Sequence, residues 1–260
     1  MNHLVLLWQL TFFSALTAFL IIFLMIALKK RFIPASDVES AILVAKRIQE
    51  QGLTPVISLL GEHYMSRKKV DEMVNKCLHL ISCLYDEKIK AKISVKPTGL
   101  GLAISEEIYL DSIQQIARMA HRLKIPLEID VEKRKYLDAT LRVYWKIPGE
   151  FLVRQAVQAY LKRSKEDIGK FIGWHKKVRL VKGAYAEGDL SESETQAQMK
   201  NLAEQLLLRG NEPAIATISD KDLIGYLTIF QGENKIEKDK FIFQTLYGRS
   251  DEMKEVLRDC

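Results

Sequence analysis

The pattern of apolar and polar residues divides the chain into two parts. Residues 4–28 carry no charged side chain, whereas from residue 35 onwards short runs rich in Val and Ile alternate with longer amphipathic segments. Continuous apolar runs predict strands buried on both faces, and segments such as 68–85 and 106–123 have the period of a helix. The predicted strands are 55–60, 91–96, 126–131, 151–158, 178–181, 213–217 and 241–246.

Strands that alternate with helices predict parallel βαβ units. Polar residues end most of the predicted strands: Lys96, Asp130, Gln158, Lys182, Thr217 and Gln244. In a (β/α)8 barrel the carboxyl ends of the strands converge on one mouth, where sites are built. We therefore predict an α/β fold, a TIM-type (β/α)8 barrel of which seven strands are visible in the sequence. A doubly wound sheet is the alternative, although the chain has no Gly-x-Gly-x-x-Gly fingerprint.

The uncharged segment 4–28 is long enough to span a bilayer as one helix. Trp8 lies near one end, and a basic cluster at 29–31 follows the other end, as is typical of the cytoplasmic side. We predict a single-pass anchor in the cell membrane over 4–28 and a cytoplasmic catalytic domain over 34–260. A cleaved signal peptide and a buried or interfacial helix are the alternatives. The signal peptide is disfavoured because the basic cluster follows the apolar core.

The amino-acid composition excludes some kinds of partner and site but does not indicate a function. The chain has 260 residues, 48% of them hydrophobic and 28% charged, with a net charge of +6, which suits one larger globular domain. Basic residues are interleaved with acidic ones, so most charges are interpreted as solvated faces and no nucleic-acid partner is expected. The three Cys and five His residues show no metal-ligand spacing, so no metal site is predicted.

Short motifs at the predicted strand ends carry a resemblance. They are VISLLGE at 56–62, ISVKPTGLG at 93–101, EIDVE at 128–132, VQAYLKR at 157–163, RLVKGAY at 179–185, PAIAT at 213–217 and FQTLYG at 243–248. In this order they resemble the proline dehydrogenase family over residues 34–258. The resemblance implies a flavoprotein barrel that holds FAD and oxidises L-proline to 1-pyrroline-5-carboxylate, the first step of proline catabolism. It also implies that electrons pass to membrane quinone, an acceptor that the predicted anchor in the lipid bilayer would suit.

The resemblance implies roles on the cofactor side. Arg179 would lie beside the reactive edge of the flavin, where a fixed cation stabilises the negative charge that forms on reduction. Gln158 would hydrogen-bond the ring, since an amide both donates and accepts. Further cofactor contacts are assigned to the fifth-strand loop and to the ends of the sixth and seventh strands: Lys182, Gly183, Ala184, Thr217 and Gln244.

On the substrate side, the resemblance implies that Lys96 pairs with the proline carboxylate. Asp130 would complement the substrate nitrogen or a neighbouring cation, and a structural salt bridge between Lys96 and Asp130 is compatible with both roles. Tyr185 and Leu246 would pack on the pyrrolidine ring. Glu62 would close over the site by pairing with an arginine that the family supplies near its carboxyl end.

The sequence also departs from the family pattern. Ser58 stands where the family commonly has Asp, and Ile218 stands where an Ala-Thr-His motif has its histidine. The family's eighth strand and its paired carboxylate-binding arginines have no counterpart in this sequence. The alternative function is therefore a truncated or degenerate membrane-tethered relative that binds flavin or a protein partner without activity. A lyase that uses Lys96 or Lys182 as a Schiff base is a third interpretation.

Overall fold

Strands and helices alternate along the chain in the computed structural model, which describes residues 35–218 and 220–248. The strands are β1 (Val56–Ser58), β2 (Lys92–Val95), β3 (Leu127–Ile129), β4 (Val153–Gln158), β5 (Lys177–Val181), β6 (Ala214–Ala216) and β7 (Ile242–Gln244). The helices are α1 (Val38–Glu50), α2 (Arg67–Asp86), α3 (Glu106–Arg122), α4 (Arg134–Tyr144), α5 (Ser164–Gly173), α6 (Glu192–Arg209) and α7 (Lys221–Glu233). Short 3-10 helices lie at Pro97–Leu100 and Lys238–Lys240.

The predicted anchor at 4–28 lies outside the described residues. Among the residues that are described, no helix has both the length and the apolarity of a membrane span.

The described strands form one parallel sheet whose order in space follows their order in the chain. The sheet is curled, because Gln244 in β7 donates a hydrogen bond of 2.7 Å to Glu128 in β3. A flat sheet would separate these strands by about 19 Å, since neighbouring strands lie about 4.8 Å apart. The predicted parallel α/β architecture is thereby confirmed for the described residues, as a seven-stranded curled wall of a barrel.

Several helices begin where their sequences provide caps. Asp37 and Ser40 form a capping box before α1, and Gly52 follows the helix with a φ of +78°. Ser105 accepts a hydrogen bond from the backbone of Ile108 at the start of α3. These caps satisfy amides that the first helical turn leaves unpaired.

Most of the strands are shorter than the apolar runs that predicted them, whereas β5 begins one residue earlier, at Lys177. The run 126–131 contains a strand only over Leu127–Ile129, and 241–246 contains one over Ile242–Gln244. The chain leaves the ladder as each βα loop begins, so Lys96 and Asp130 lie just beyond the strand ends. The order and number of the predicted strands are unchanged.

The two faces of the curled sheet differ in chemistry. Ile93 and Leu127 are fully buried toward the helices and belong to one continuous hydrophobic cluster. The inner, concave face instead carries Ser94, Glu128 and Arg154, which are neighbours in register on β2, β3 and β4. Barrel interiors are usually filled by branched apolar side chains. The apolar core thus lies between the outer face of the sheet and the helices, whereas the charged groups lie on the concave inner face.

Candidate active site

Four charged side chains meet at the mouth of the sheet: Glu62 follows β1, Lys96 follows β2, Asp130 follows β3 and Arg179 lies within β5. Arg179 donates to Asp130 through its Nη1 atom, at 2.7 Å from Oδ1. The Lys96 ammonium lies 3.8 Å from Asp130 Oδ2 and 3.6 Å from Glu62 Oε2, which are looser ion-pair distances. Ser94 donates to Asp130 Oδ1, the oxygen that Arg179 also contacts, at 2.8 Å. The structure therefore brings Lys96, Asp130, Arg179 and Glu62 together, while the role predicted for each of them stays a prediction.

The firm contacts in this cluster fix Asp130 and Arg179, whereas Lys96 is held only by charge. Charged hydrogen bonds between nitrogen and oxygen are normally about 2.7–2.9 Å long, so the Arg179 contact is tight and the Lys96 contacts are not. An incoming carboxylate can recruit Lys96 without breaking a close hydrogen bond. The cluster can consequently bind an anionic group beside a fixed guanidinium.

A deeper layer of the inner face was missed by the sequence reasoning. Glu128 is fully buried and accepts hydrogen bonds of 2.7 Å from both Arg154 and Gln244. Gln244 was predicted to contact the cofactor, and the structure shows one bond of its side chain directed at Glu128. The available signal was spacing, because Glu128 lies two residues before Asp130 and therefore on the same face of the chain.

The inner face also contains buried polar atoms without a hydrogen-bond partner among the described residues. They include Gln158 Oε1, Gln244 Oε1 and Arg179 Nε. Gln158 itself is oriented by donating to the backbone oxygen of Glu132 at 3.3 Å. Because buried polar groups are normally hydrogen-bonded, such a mixed set of donors and acceptors fits a polar heterocyclic ligand. The residues present therefore fit the flavin that the resemblance implies.

The predicted contacts in the loop after β5 have other partners in the structure. Lys182 is 45% exposed and forms an ion pair with Glu192. Gly183 has a φ of +123°, and a Cβ there would lie 2.6 Å from the Tyr160 ring. The Tyr160 ring thus leaves no room for a side chain at position 183. The close approach of Gly183 to a cofactor stays a prediction. Ala184 is exposed beside it.

Among the predicted cofactor residues, Thr217 most clearly has other hydrogen-bond partners in the structure. Its amide donates to the backbone oxygen of Gln244 at 2.9 Å, which extends the β6–β7 ladder. Its hydroxyl accepts a hydrogen bond of 3.2 Å from the amide of Asp220, the residue that caps α7. The amide of Thr217 therefore joins β6 to β7, and its hydroxyl holds the start of α7.

Tyr185 and Leu246 lie at the mouth with different surroundings. Burial, followed by the negative charges of Glu132, Glu62 and Asp130, raises the pKa of the Tyr185 phenol to about 12. The phenol is consequently neutral and close to the charged cluster. Leu246 is 52% exposed, and no contact places it beside the cluster. Its packing against a substrate ring stays a prediction.

Three βα loops are joined around the cluster by Glu132 and Thr98. The backbone and hydroxyl of Thr98 donate to the buried Glu132 carboxylate at 2.7 and 2.6 Å. The amide of His63 donates to the Thr98 hydroxyl at 2.9 Å. A Cβ at Gly99 would lie 2.3 Å from the backbone oxygen of Gly61, so the glycine permits this close approach. The loop that carries Glu62 is thereby held beside the loops after β2 and β3.

Comparisons with known proteins agree with this geometry. The sequence profile of the family described as Proline dehydrogenase matches residues 41–259. Proline dehydrogenase 1 of Bacillus subtilis (strain 168) is 32% identical over 236 residues, which cover 88% of this chain and 78% of that protein. Proline dehydrogenase 2 of the same strain is 31% identical over 223 residues, 84% of this chain and 73% of that protein.

A solved structure shows the same fold. The crystal structure of proline utilization A (PutA) from Bdellovibrio bacteriovorus inactivated by N-propargylglycine aligns with a TM-score of 0.85 and 22% identity. The alignment covers 94% of this chain but only 31% of that longer chain. At this identity the likeness shows the fold alone. From the family profile and the curated relatives, the chain belongs to the proline dehydrogenase family of oxidoreductases.

Proposed function

We propose that this chain binds FAD, oxidises L-proline to 1-pyrroline-5-carboxylate and passes the electrons to membrane quinone. The observation that carries this proposal is the cluster of Lys96, Asp130, Arg179 and Glu62 at the strand ends of a proline dehydrogenase family fold. The fold would be a (β/α)8-type barrel domain over residues 34–260, of which the sequence shows seven strands.

The cluster suits the two charges of proline. The Lys96 ammonium would leave its loose contacts with Glu62 and Asp130 to pair with the substrate carboxylate. Asp130, held in place by Arg179 and Ser94, would accept a hydrogen bond from the substrate nitrogen. Oxidation of the C–N bond to C=N removes a hydride from carbon and a proton from nitrogen. A carboxylate fixed at the nitrogen orients the ring for this loss.

The cofactor would lie over the inner face between Gln158 and Arg179. Bound FAD would supply the hydride acceptor. Gln158 would use its unpaired Oε1 and Arg179 its guanidinium to orient the ring, and the Arg179 charge would stabilise the negative charge that reduction creates. The neutral Tyr185 phenol would cover the substrate without adding charge.

Residues 4–28 would anchor the domain at the cytoplasmic face of the cell membrane, within reach of a lipid-soluble quinone. The sequence pattern supports this role, because the uncharged segment precedes a basic cluster. We expect the full chain to sediment with membranes and to remain there after a high-salt wash. A variant that lacks residues 4–28 should be released, and a variant that still resists the wash would contradict the anchor.

The full chain, purified in detergent and reconstituted with FAD, tests the activity. We expect the oxidised flavin absorbance to bleach anaerobically on addition of L-proline and to return on addition of a quinone. Lys96→Met should raise the KM for L-proline at least about tenfold, since a charge-assisted hydrogen bond contributes about 1.5–3 kcal/mol.

Lys170→Met is the matched control, because Lys170 pairs with Glu166 on the outer helix α5. It should leave the KM unchanged. A flavin-loaded chain that does not bleach with L-proline would exclude the proposed activity. An unchanged KM in Lys96→Met would exclude the assigned role of Lys96.

A further inference from the structure

A buried ion pair lies on the inner face directly beneath the candidate active site. Glu128 and Arg154 are 0% and 7% exposed, and Arg154 Nη1 donates to Glu128 Oε1 at 2.7 Å. Arg154 is held in turn by the backbone oxygen of Glu212, at 2.8 Å from its Nη2 atom. Taking two charges out of water is costly, and a buried pair is by itself weak evidence of a stabilising role. The pair therefore invites a functional explanation.

The second oxygen of Glu128 points to that explanation. Glu128 Oε2 has no hydrogen-bond partner among the described residues, and it lies 3.7 Å from Arg179 Nε, which is also unpaired and buried. Arg179 is thus flanked by two carboxylates: Asp130 contacts its Nη1 atom at 2.7 Å, and Glu128 faces its Nε atom. Glu128 stands between two arginines, and its own charge is shared between them.

We propose that Glu128 is a positioning residue that sets the direction and the effective charge of Arg179. This inference rests on the proposed function, in which Arg179 lies beside the flavin. Arg154 and Gln244 hold the Glu128 carboxylate from the side away from Arg179, so its free oxygen remains directed at the Arg179 guanidinium. The negative charge of Glu128 partly offsets the positive potential that Arg179 would create at the flavin. The positive charge of Arg154 reduces this offset.

The sign of each effect follows from electrostatics. Charges in a buried setting act on one another with little screening by solvent. Glu128→Gln removes a negative charge next to Arg179, so reduction of the flavin should become easier. Arg154→Gln leaves the Glu128 charge uncompensated, so reduction should become harder. The double variant removes both charges and should behave like the wild type.

The experiment measures the midpoint potential of the bound flavin in the FAD-loaded full chain, against reference dyes. We expect a shift to more positive potential in Glu128→Gln, a shift to more negative potential in Arg154→Gln and a return toward the wild-type value in the double variant. Glu212→Gln is the matched control, since it makes the same charge change at a half-exposed residue paired with Lys177. It should shift the potential least.

If Glu128 and Arg154 had only a structural role, the two single variants would be less stable, but they would not shift the midpoint potential of the flavin in opposite directions. Shifts of the same sign in the two single variants, or a shift in Glu212→Gln as large as that in Glu128→Gln, would overturn the proposal. If either single variant is insoluble, the double variant retains the test, because it contains no uncompensated member of the pair. A double variant displaced as far as Glu128→Gln would then contradict the role of Arg154.

A second readout does not need the flavin. Thermal unfolding of the apo chain is compared for Glu128→Gln, Arg179→Gln and the variant that combines them. If Glu128 positions Arg179, the combined loss in Tm is smaller than the sum of the single losses. If the two losses in Tm simply add, the proposed contact between Glu128 and Arg179 is overturned. A chain that shows the coupling but binds no FAD would overturn only the proposed function.

Discussion

At the residue scale, Lys92 shows what the charged inner face does to a single side chain. It is the first residue of β2, at the opposite end of the strand from the candidate active site. Burial lowers the pKa of the Lys92 ammonium to about 8, and the cations Arg154 and Lys177 contribute, while Glu128 and Glu212 oppose the shift. No carboxylate among the described residues forms a salt bridge with Lys92. The charged form of Lys92 therefore destabilises the folded chain.

The sign of the pH dependence follows from this lowered pKa. Between pH 8 and 10.5 the unfolded chain keeps a proton on Lys92 that the folded chain has lost, so the contribution of Lys92 to stability rises with pH in that window. We expect Lys92→Met to increase the free energy of unfolding at pH 7 by about 2 kcal/mol. The gain should shrink toward pH 10. Denaturant unfolding at both pH values measures it, and an equal gain at both would contradict the lowered pKa.

Gly183 is a second residue whose surroundings decide its identity. Its φ of +123° and the Tyr160 ring, 2.6 Å from where a Cβ would lie, both exclude a side chain. We expect Gly183→Ala to lower the free energy of unfolding by about 1–3 kcal/mol. Gly225→Ala, in the exposed middle of α7 where a Cβ meets no described atom within 4 Å, should instead raise stability by about 0.5–1 kcal/mol. Equal effects in the two variants would exclude the steric explanation.

At the scale of elements, the loop between β5 and α6 is fastened from outside itself. Arg134 at the start of α4 donates to both Asp189 oxygens, at 2.5 and 3.2 Å, and its amide donates to Glu187 at 2.6 Å. The amide of Lys162 adds a bond of 3.1 Å to Asp189. These contacts close over Tyr160 and hold the loop that carries Tyr185.

Loosening this loop should change its dynamics before it changes the fold. We expect Asp189→Asn to raise the rate of limited proteolysis within 182–191 about fivefold, because an exposed ion pair of good geometry contributes about 1 kcal/mol to local closing. Glu166→Gln, which breaks a helical surface pair with Lys170, is the control and should leave that rate unchanged. The Tm of both variants should stay close to that of the wild type. A proteolysis rate in Asp189→Asn equal to the wild-type rate would contradict the role assigned to these contacts.

What the sequence could predict differs between strands and loops. Local periodicity predicted the seven strands, and the polar strand ends predicted that Lys96 and Asp130 share one mouth, whereas Arg179 was indicated only by the family resemblance. The partners of Lys182 and Thr217 belong to the starts of α6 and α7, and no local pattern shows that these two side chains contact those helix starts. The membrane anchor and the individual site roles stay predictions.

The buried charges were the hardest feature to predict. Glu128 lies within a run that also contains apolar residues, and Arg154 lies in a strand that is buried along its whole length. An apolar run shows that a strand is enclosed, but it does not show which of its two faces meets the helices. The curl of the sheet brings β7 across to β3 and so supplies the hydrogen bond from Gln244 to Glu128, which no local pattern encodes.

At the scale of the whole molecule, the unpaired inner atoms link cofactor binding to stability. A ligand that binds only the folded chain stabilises it by about 2.7 kcal/mol at a concentration one hundred times its Kd. For a domain of this size we expect FAD at that concentration to raise the Tm by roughly 5–10 °C. Thermal unfolding of the apo and reconstituted full chain measures the shift. A Tm that FAD leaves unchanged would contradict the inner face as the flavin site.

The contrast between the two faces of the sheet has an evolutionary consequence. Ile93 and Ser94 are adjacent in β2, yet one packs under the helices and the other binds Asp130 at the mouth. Foldability and chemistry are thus selected on alternate residues of the same strands. A substitution on the concave side can retune charge or substrate preference without opening a cavity in the hydrophobic layer. Such a scaffold can diversify its reactions while its folding determinants remain nearly constant.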